Sequence, residues 1–392
     1  MQSGKRMNYL RQKINDIYLF GCAFYIFISI LFASEFSGMP HQHLLFSAAR
    51  AVCYLCVCLK GAIDLFGGMY SKKEILVCGA VGAFLLVLAY TTGDKNPLIY
   101  WVFIAAGHNV DFQKLIKWAA IAHFAALAVI IAACYGGILD NITIERHGQD
   151  KLREGLGFDY ASEAANFFFY AALLWIYYRK IDISIPETAV LLACAAALFW
   201  KTDTKSAFAL TVLALTGTLV LKYSAYLRDY HAVYRVLALL AAPALAALII
   251  LVTYRYDPSV GWMQGLNRIV TNRLYYGKMG IDTFGVRLLG QRLEMVGGEY
   301  TAGYNYVDSS FVQILLNYGP VFLVVLLGGL VALGNAISQK RDTWFLLVFC
   351  LFLLHSTFDP QLIWIAFNDF LLAYAYIVDK RHPAGKLKSE GV

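Results

Sequence analysis

The stretch Tyr234-Arg-Val-Leu-Ala-Leu-Leu-Ala-Ala-Pro-Ala-Leu-Ala-Ala-Leu-Ile-Ile-Leu-Val-Thr253 carries a single charge, at its second position. A hydrocarbon core about 30 Å thick is crossed by about 20 apolar residues in a helix, so this segment reads as a membrane span. Comparable runs lie near 17–36, 44–59, 75–91, 97–110, 117–137, 162–178, 186–200, 206–222, 318–337, 343–357 and 361–378, the one at 97–110 being the shortest. No small-residue cleavage site follows the first run, so it reads as an uncleaved span rather than a signal peptide. Composition agrees. Of 392 residues, 59% are hydrophobic and 15% charged, whereas a soluble chain carries about 25% charged residues to cover its surface. About twelve spans of roughly 20 residues leave on the order of 150 for loops and tails, too few for a cytosolic nucleotide-binding domain. The expected fold class is an all-α polytopic membrane protein, a single membrane domain over 1–392.

Charge sets the expected orientation. With the N-terminus and its Lys5, Arg6, Arg11 and Lys13 in the cytoplasm, the clusters Lys60/Lys72/Lys73, Lys114/Lys117, Arg179/Lys180, Lys222/Arg228/Arg235 and Lys340/Arg341 also fall inside. So does the C-terminal tail with Lys380, Arg381, Lys386 and Lys388. The reading is a multi-pass plasma-membrane protein with both termini cytoplasmic. The net charge of +7 follows this distribution, and no RNA-binding signature or basic helical stripe points to nucleic acid.

Two long loops, 138–161 and 254–310, then face outward. The second carries Arg255, Arg268, Arg273, Lys278, Arg287 and Arg292 among Asp257, Asp282, Glu294, Glu299 and Asp308. Within it, Leu266, Ile269, Val270 and Leu274 recur at helical spacing, as in an amphipathic helix lying on the membrane surface. Arg273 sits at the edge of that apolar face and is expected to point into the protein. Trp262, Tyr275, Tyr276, Tyr300, Tyr304 and Tyr306 suit an interfacial belt or stacking against sugar rings.

Several chemistries lack their motif. There is no G-x-x-x-x-G-K-[ST] for an ATP-driven pump, no D-x-D for a metal-dependent nucleotide-sugar transferase, no H-E-x-x-H for zinc, and no G-x-S-x-G nucleophile elbow. All eight cysteines lie inside apolar runs, which argues against a disulfide framework. Cys53-x-x-Cys56-x-Cys58 has no second ligand cluster and reads as helix packing. No metal or cofactor is expected. What remains is a set of cations at one membrane face: Arg153 before a span, Lys201 and Lys205 around the turn Thr202-Asp203-Thr204, and Arg273 and Arg287 in the long loop. Three chain regions thus bring cations to one face, as a membrane-bound diphosphate requires. Taken singly, each also fits a snorkelling or surface-paired cation.

The stretch Leu266-Asn-Arg268-Ile-Val-Thr-Asn-Arg273-Leu-Tyr-Tyr-Gly, with Phe284-Gly285 and Leu289-Gly290-Gln291, resembles the outer loop of Wzy-type polysaccharide repeat-unit polymerases. Tyr306-Val307-Asp308-Ser309-Ser310, continuing to Leu316-Asn317-Tyr318-Gly319, resembles their D-[NS]-S…L-x-x-Y-G segment. Arg153-x-x-Leu156-Gly157-Phe158 is similar to R-x-x-L-G-F, and Thr204-Lys205-Ser206-Ala207 to T-x-[SR]-[RK]. The likeness spans about 240 residues of short, loose motifs whose order and membrane side agree. Two departures stand out. Asp159-Tyr160-Ala161 replaces the family's His-Pro-Asn, and Lys205 replaces a frequent arginine, losing bidentate phosphate geometry.

The resemblance implies a GT-C-like, metal-independent inverting glycosyltransferase. It would join undecaprenyl-diphosphate-linked oligosaccharide repeat units into a capsular, exo- or O-antigen polysaccharide. Membrane lipid, a chain-length regulator and a flippase are the implied partners. Asp308 is the first choice for acceptor base or anchor and His355 the second, and such a base contributes about 10²–10⁴ in rate. With Arg273 they form the expected catalytic group. Arg153, Lys205, Arg287, Arg268 and Tyr306 would hold the diphosphate and substrate. As the residue before Ser309 and Ser310, Asp308 also fits a helix N-cap. Asn368 and Asp369 fall in the middle of the last run, and an intramembrane carboxylate is either functional or paired, here with Arg50. The alternatives are an O-antigen ligase-type transferase, whose variant has His-Asn where this chain has Asp308-Ser309, and a lipid-linked oligosaccharide flippase. A flippase commonly shows internal repeats, and this sequence shows none.

Overall fold

The computed structural model describes residues 2–145, 152–297 and 304–378. Glu299, Tyr300 and the basic tail Lys380, Arg381, Lys386 and Lys388 lie outside the described residues, as do the side chains of Lys5 and Arg6. The chain runs α1 (Gln2–Phe32), α2 (Gln42–Phe66), α3 (Lys72–Thr92), α4 (Asn96–Ala106), α5 (Phe112–Tyr135), β1 (Thr143–Glu145), β2 (Leu152–Glu154), α6 (Glu163–Arg179), α7 (Ile185–Thr202), α8 (Lys205–Tyr223), α9 (Ala225–Arg228) and α10 (Ala232–Tyr254). It continues α11 (Gly261–Ile269), α12 (Arg273–Phe284), α13 (Ser310–Asn317), α14 (Gly319–Lys340), α15 (Thr343–His355) and α16 (Tyr374–Val378). Among the described residues, eight helices are long and apolar enough to cross a membrane: α1 (over Arg11–Phe32), α2, α3, α5, α7, α8, α10 and α14. α4 and α15 are shorter apolar helices. The architecture is consistent with an all-α membrane protein. Among the described residues its one sheet is the antiparallel pair β1–β2, with Ile144 opposite Arg153.

Successive long helices alternate in direction, so the bundle has two unlike ends. At one end Lys180 pairs with Asp342 at 3.2 Å, Arg179 with Glu187 at 2.9 Å, and Lys340 lies 4.1 Å over the Tyr376 ring. At the other end both long loops gather: Glu35 donates to the Gly157 carbonyl at 3.0 Å, and Thr91 to that of Leu289 at 2.8 Å. The ends also differ in how helices start. At the basic end α3, α5, α7 and α15 are capped by Ser71, Asp111, Ser184 and Asp342, two of them in full capping boxes. At the loop end α6, α8 and α13 start without any side-chain cap bond. Their first N–H groups need partners from outside the helix; that of Glu163 finds the Tyr160 carbonyl at 3.1 Å and that of Ser310 the Ser356 carbonyl at 3.0 Å.

α6 is the central element, in contact with α5, α7, α8 and α15. Its run Phe167–Leu174 is buried throughout, as a helix apolar on every side must be. Phe167 stacks on Phe367 at 3.9 Å. Phe367 belongs to the segment that departs most from expectation. The run 361–378 is not a helix: it passes through turns and a 3-10 turn at Asp369–Leu372 before α16. It nonetheless goes from the loop end to the basic end, where Tyr374 bonds Glu74 at 3.2 Å and Tyr376 bonds Asp342 at 3.4 Å. Irregular backbone is stable at membrane depth only when enclosed by protein that meets its polar groups. Here Leu362 N–H donates to Ser310 Oγ at 3.2 Å, Asn368 Nδ2 to the Leu362 carbonyl at 3.0 Å, and the Tyr100 hydroxyl to the Asn368 carbonyl. The irregular path also settles the partner of Asp369. Its carboxylate meets His123 Nε2 at 2.8 Å, while Arg50 donates to the Phe46 carbonyl and covers the Phe32 ring.

The expected surface helix over 266–274 is divided. α11 ends at Ile269, Thr271 and Asn272 take left-handed backbone (φ 54 and 63), and α12 restarts at Arg273. Asparagine tolerates this region because its amide bonds locally. Asn272 Oδ1 accepts from Asn267 Nδ2 at 3.0 Å, and Asn267 Oδ1 accepts from Tyr275 N–H at 3.1 Å. α11 itself is amphipathic, with Trp262 and Ile269 exposed at 62% and 79%. Farther on, the loop clasps the start of α14. Gly290 and Gly319 both have positive φ, and a Cβ on either would come within 2.4 Å of a backbone oxygen of the other strand.

The tightest helix contact is Gly334 of α14 against α10, where a Cβ would lie 1.8 Å from the Ala238 oxygen. Gly328 and Gly329, on the same helix, face open space. Gly334→Ala should therefore force the helices apart at a cost of about 1–3 kcal/mol, whereas Gly328→Ala and Gly329→Ala should be silent. Thermal denaturation in detergent compares the three, and equal stabilities would refute the close α10–α14 contact.

Candidate functional site

Arg273 opens α12, just past the left-handed pair, and the break aims its side chain inward over the end of α15. Nε donates to the Phe358 carbonyl at 2.6 Å, and one terminal nitrogen to Thr271 Oγ1 at 2.6 Å. The other reaches Asp359 Oδ1 at 3.4 Å. Asp308 Oδ2 stands 3.6 Å from Nε, beyond hydrogen-bond range. Arg273 is thus fixed by two short bonds and two longer carboxylate contacts. Its side chain is 21% exposed and that of Asp308 25%, so both still reach solvent. Burial opposes the guanidinium charge, but Asp359 and Asp308 outweigh it and hold Arg273 more firmly protonated than usual.

Asp308 does not cap a helix. The N-cap of α13 is Ser309, with no side-chain bond, and α13 is a separate short helix ahead of the span α14. Freed from that role, Asp308 sits in a low-dielectric setting that raises its carboxyl from 3.8 to about 6. Burial is the main cause, Asp359 adds to it, and Arg273 opposes it. Tyr304 and Tyr306 flank it. Burial, and then the nearby Asp308 carboxylate, keep the Tyr304 phenol protonated. Burial does the same for Tyr306, against a bond with Gln313.

Asp359 is the hub. Its Oδ2 accepts from Ser206 Oγ at 3.3 Å and lies 3.5 Å from His355 Nε2, and its carbonyl accepts from Ser310 Oγ at 2.6 Å. One acid therefore ties together the start of α8, the start of α13, the end of α15 and Arg273. It was missed in the sequence, although it stands one helical turn after His355 in a polar run that closes a span. His355 is enclosed completely. Beyond Asp359 it touches Asn166 Oδ1 at 3.3 Å and the Tyr170 hydroxyl at 3.4 Å, and its ring stacks on Phe169 at 4.8 Å. Both ring nitrogens are occupied by protein, so His355 orients Asp359 rather than meeting an acceptor.

Arg153 joins the site from β2. It is buried, donates to the Thr202 carbonyl at 2.7 Å, and lies 5.9 Å from the Tyr160 ring. Tyr160 in turn acts electrostatically on Arg273 and Tyr304. Lys201 is engaged by Glu154 at 2.8 Å. Lys205 is exposed at the start of α8, beside Ser206. Arg268 and Arg287 are exposed too. Arg268 lies on α11 and Arg287 at the Gly290–Gly319 clasp, and neither makes a side-chain bond within the cluster. The structure therefore gathers Arg273, Asp308, Tyr306, Arg153 and, behind them, His355. It leaves Arg268 and Arg287 at the rim.

The uncapped starts of α8 and α13 meet this cluster at Ser206 and Ser310, and helix N-termini carry partial positive charge that favours anions. The arrangement offers anion-binding groups around a half-buried carboxylate able to accept a proton near neutral pH. Compared with protein-family models, with curated proteins and with solved structures, the chain matches none.

Proposed function

We propose that this chain is a metal-independent inverting membrane glycosyltransferase of the Wzy type, which polymerises undecaprenyl-diphosphate-linked repeat units at the outer face of the plasma membrane. The observation that carries the reading is the loose Arg273–Asp308 pair beside the uncapped starts of α8 and α13. In this reading the donor diphosphate takes the open side of Arg273, where a guanidinium can bridge two phosphate oxygens. Exchange of Asp308 for phosphate frees its carboxylate. Asp308 then accepts the proton of the acceptor hydroxyl as that oxygen bonds the anomeric carbon. The bond to the diphosphate breaks on the opposite face, and undecaprenyl diphosphate leaves with its charge held by Arg273, Arg153 and the helix N-termini. Lys205, at the start of α8, is the further cation in reach of the diphosphate. Tyr306 and Tyr304 supply hydroxyl donors and ring faces for sugars. Asp308-Ser309, in place of His-Asn, favours a polymerase over a ligase.

The same proposal orients the chain with the basic end in the cytoplasm, twelve crossings with 361–376 as the irregular last one, and 254–310 outside. Cysteine labelling in a chain whose native cysteines are replaced checks this. Probes at Asn272 and Gly297 should react with an impermeant reagent in intact cells, and cytoplasmic labelling would sink both orientation and mechanism.

Arg273→Ala and Arg153→Ala should each abolish the glycan ladder at near-normal protein levels. Arg273→Lys should restore little of it, because an ammonium acts as a point charge. A full ladder from Arg273→Ala would remove that residue from the site.

Asp308→Asn separates chemistry from structure. A carboxyl raised from 3.8 to about 6 opposes folding in its ionised form. That cost is absent below about pH 4, grows up to about pH 6, and is complete above, at about 3 kcal/mol or less. The Asn variant should therefore melt higher than wild type at pH 8, converge with it in acid, and have lost turnover. Wild-type turnover should fall in acid with a midpoint near pH 6. An active Asn variant would refute the base.

A further inference from the structure

Buried polar side chains occur along the whole length of the bundle, far beyond the candidate site. Near the loop end the file starts at Asp359, passes to His355 at 3.5 Å, and then to the Tyr170 hydroxyl at 3.4 Å. At mid-depth, His123 of α5 and Asp369 of the irregular segment meet at 2.8 Å, both wholly enclosed. Toward the loop end the Tyr170 ring of α6 lies 6.1 Å from that of Phe367, two residues before Asp369. On the other side the Tyr100 hydroxyl of α4 donates to the carbonyl of Asn368, one residue before it, and Cys22 of α1 is buried nearby in the core. One turn along α1 from Cys22, the Tyr18 hydroxyl donates to the Phe103 carbonyl at 2.7 Å. The Lys60 ammonium lies 5.5 Å over the Tyr18 ring and is balanced by Asp64 at 2.7 Å. The file ends at His108, 3.6 Å from Glu74, whose side chain is 22% exposed at the basic end.

Ionisable groups enclosed at this depth are costly and mark ion or proton pathways. Packing alone does not account for them. Among the described residues, Asp369 Oδ1, His123 Nδ1, Asn368 Oδ1 and Asn166 Nδ2 are buried without a hydrogen-bond partner. The pair therefore has open valences on the sides away from its mutual bond.

We propose that the chain carries protons between its two ends, with the His123–Asp369 pair as the central station. Each station takes a proton on one atom and releases one from another. The imidazole uses Nδ1 and Nε2, the carboxylate its two oxygens, and the phenols exchange their single proton. One proton enters at the Glu74–His108 end for each that leaves past Asp359, and no redox partner takes part. The path shares Asp359 and His355 with the candidate site, but its central and basic-end stations, from the His123–Asp369 pair to Glu74, lie outside that site, and the test uses only those.

The test uses the full chain in phosphatidylcholine–phosphatidylglycerol vesicles that contain potassium and a pH-sensitive dye. Valinomycin imposes an inside-negative potential, with no glycan substrate present. Wild-type vesicles should acidify faster than protein-free ones. Asp369→Asn and Tyr100→Phe, at equal incorporation and unchanged melting temperature, should lose that excess. Wild-type acidification at the protein-free rate would overturn the proposal, as would a folded Asp369→Asn that acidifies like wild type. If Asp369→Asn does not fold, Tyr100→Phe, which removes one hydroxyl, carries the same comparison. Polymer formation in cells is scored separately, so either proposal can fail alone.

Discussion

Everything at the loop end depends on how Arg273 is held. A guanidinium has five N–H donors in a rigid fork, and here they reach a backbone carbonyl, a threonine and a carboxylate from two separate parts of the chain. The long loop between α10 and α13 is anchored to the end of α15 by these bonds. The loosely placed Asp308 keeps that anchorage from being saturated. A fully paired arginine would have to break a strong bond to bind a phosphate, and an unpaired one would raise the cost of enclosing its charge. Two short bonds and two longer carboxylate contacts lie between these extremes.

Much of this was legible in the chain. Apolar run lengths located every long helix, because a span must be apolar over its whole length. The basic clusters indicated which helix ends lie together, since they mark alternate connections. Arg273 was expected to point into the protein, and it does, although the reason differs: Asn267 and Asn272 break the surface helix and turn its continuation. Other features could not be read this way. Asp359 is one acid after a span, and only the packing of α8 and α13 against it makes it a hub. The run 361–378 has the composition of a span, but its backbone conformation is set by neighbours, Ser310 and Tyr100, that are distant in sequence. Asp369 could have met Arg50 on hydropathy grounds, and the irregular path takes it to His123 instead.

The contrast between the bundle's ends extends to its electrostatics. At the basic end, serine and aspartate close the starts of α3, α5, α7 and α15, though not that of α10. At the loop end, the starts of α6, α8 and α13 lack such caps, and those of α8 and α13 meet the Asp359 hub. A carboxylate among several helix N-termini is stabilised without any single strong partner. This allows Asp359 to be shared by Ser206, His355 and Arg273 at moderate distances of 3.3 to 3.5 Å.

The irregular segment has a consequence for the order of assembly. A helix completes its own backbone bonds as it enters the bilayer, whereas the stretch from Gln361 to Ala373 borrows partners from α4 and α13 and stacks Phe367 on α6. It can reach its place only after those helices have come together around an unfilled channel. The final part of the chain is thus the last to be seated, and until then the apolar face of α6 around Phe167 and Tyr170 has no cover. A chain ending before Gln361 would have every long helix and still be an open bundle, one that quality-control proteases should recognise by that exposed centre.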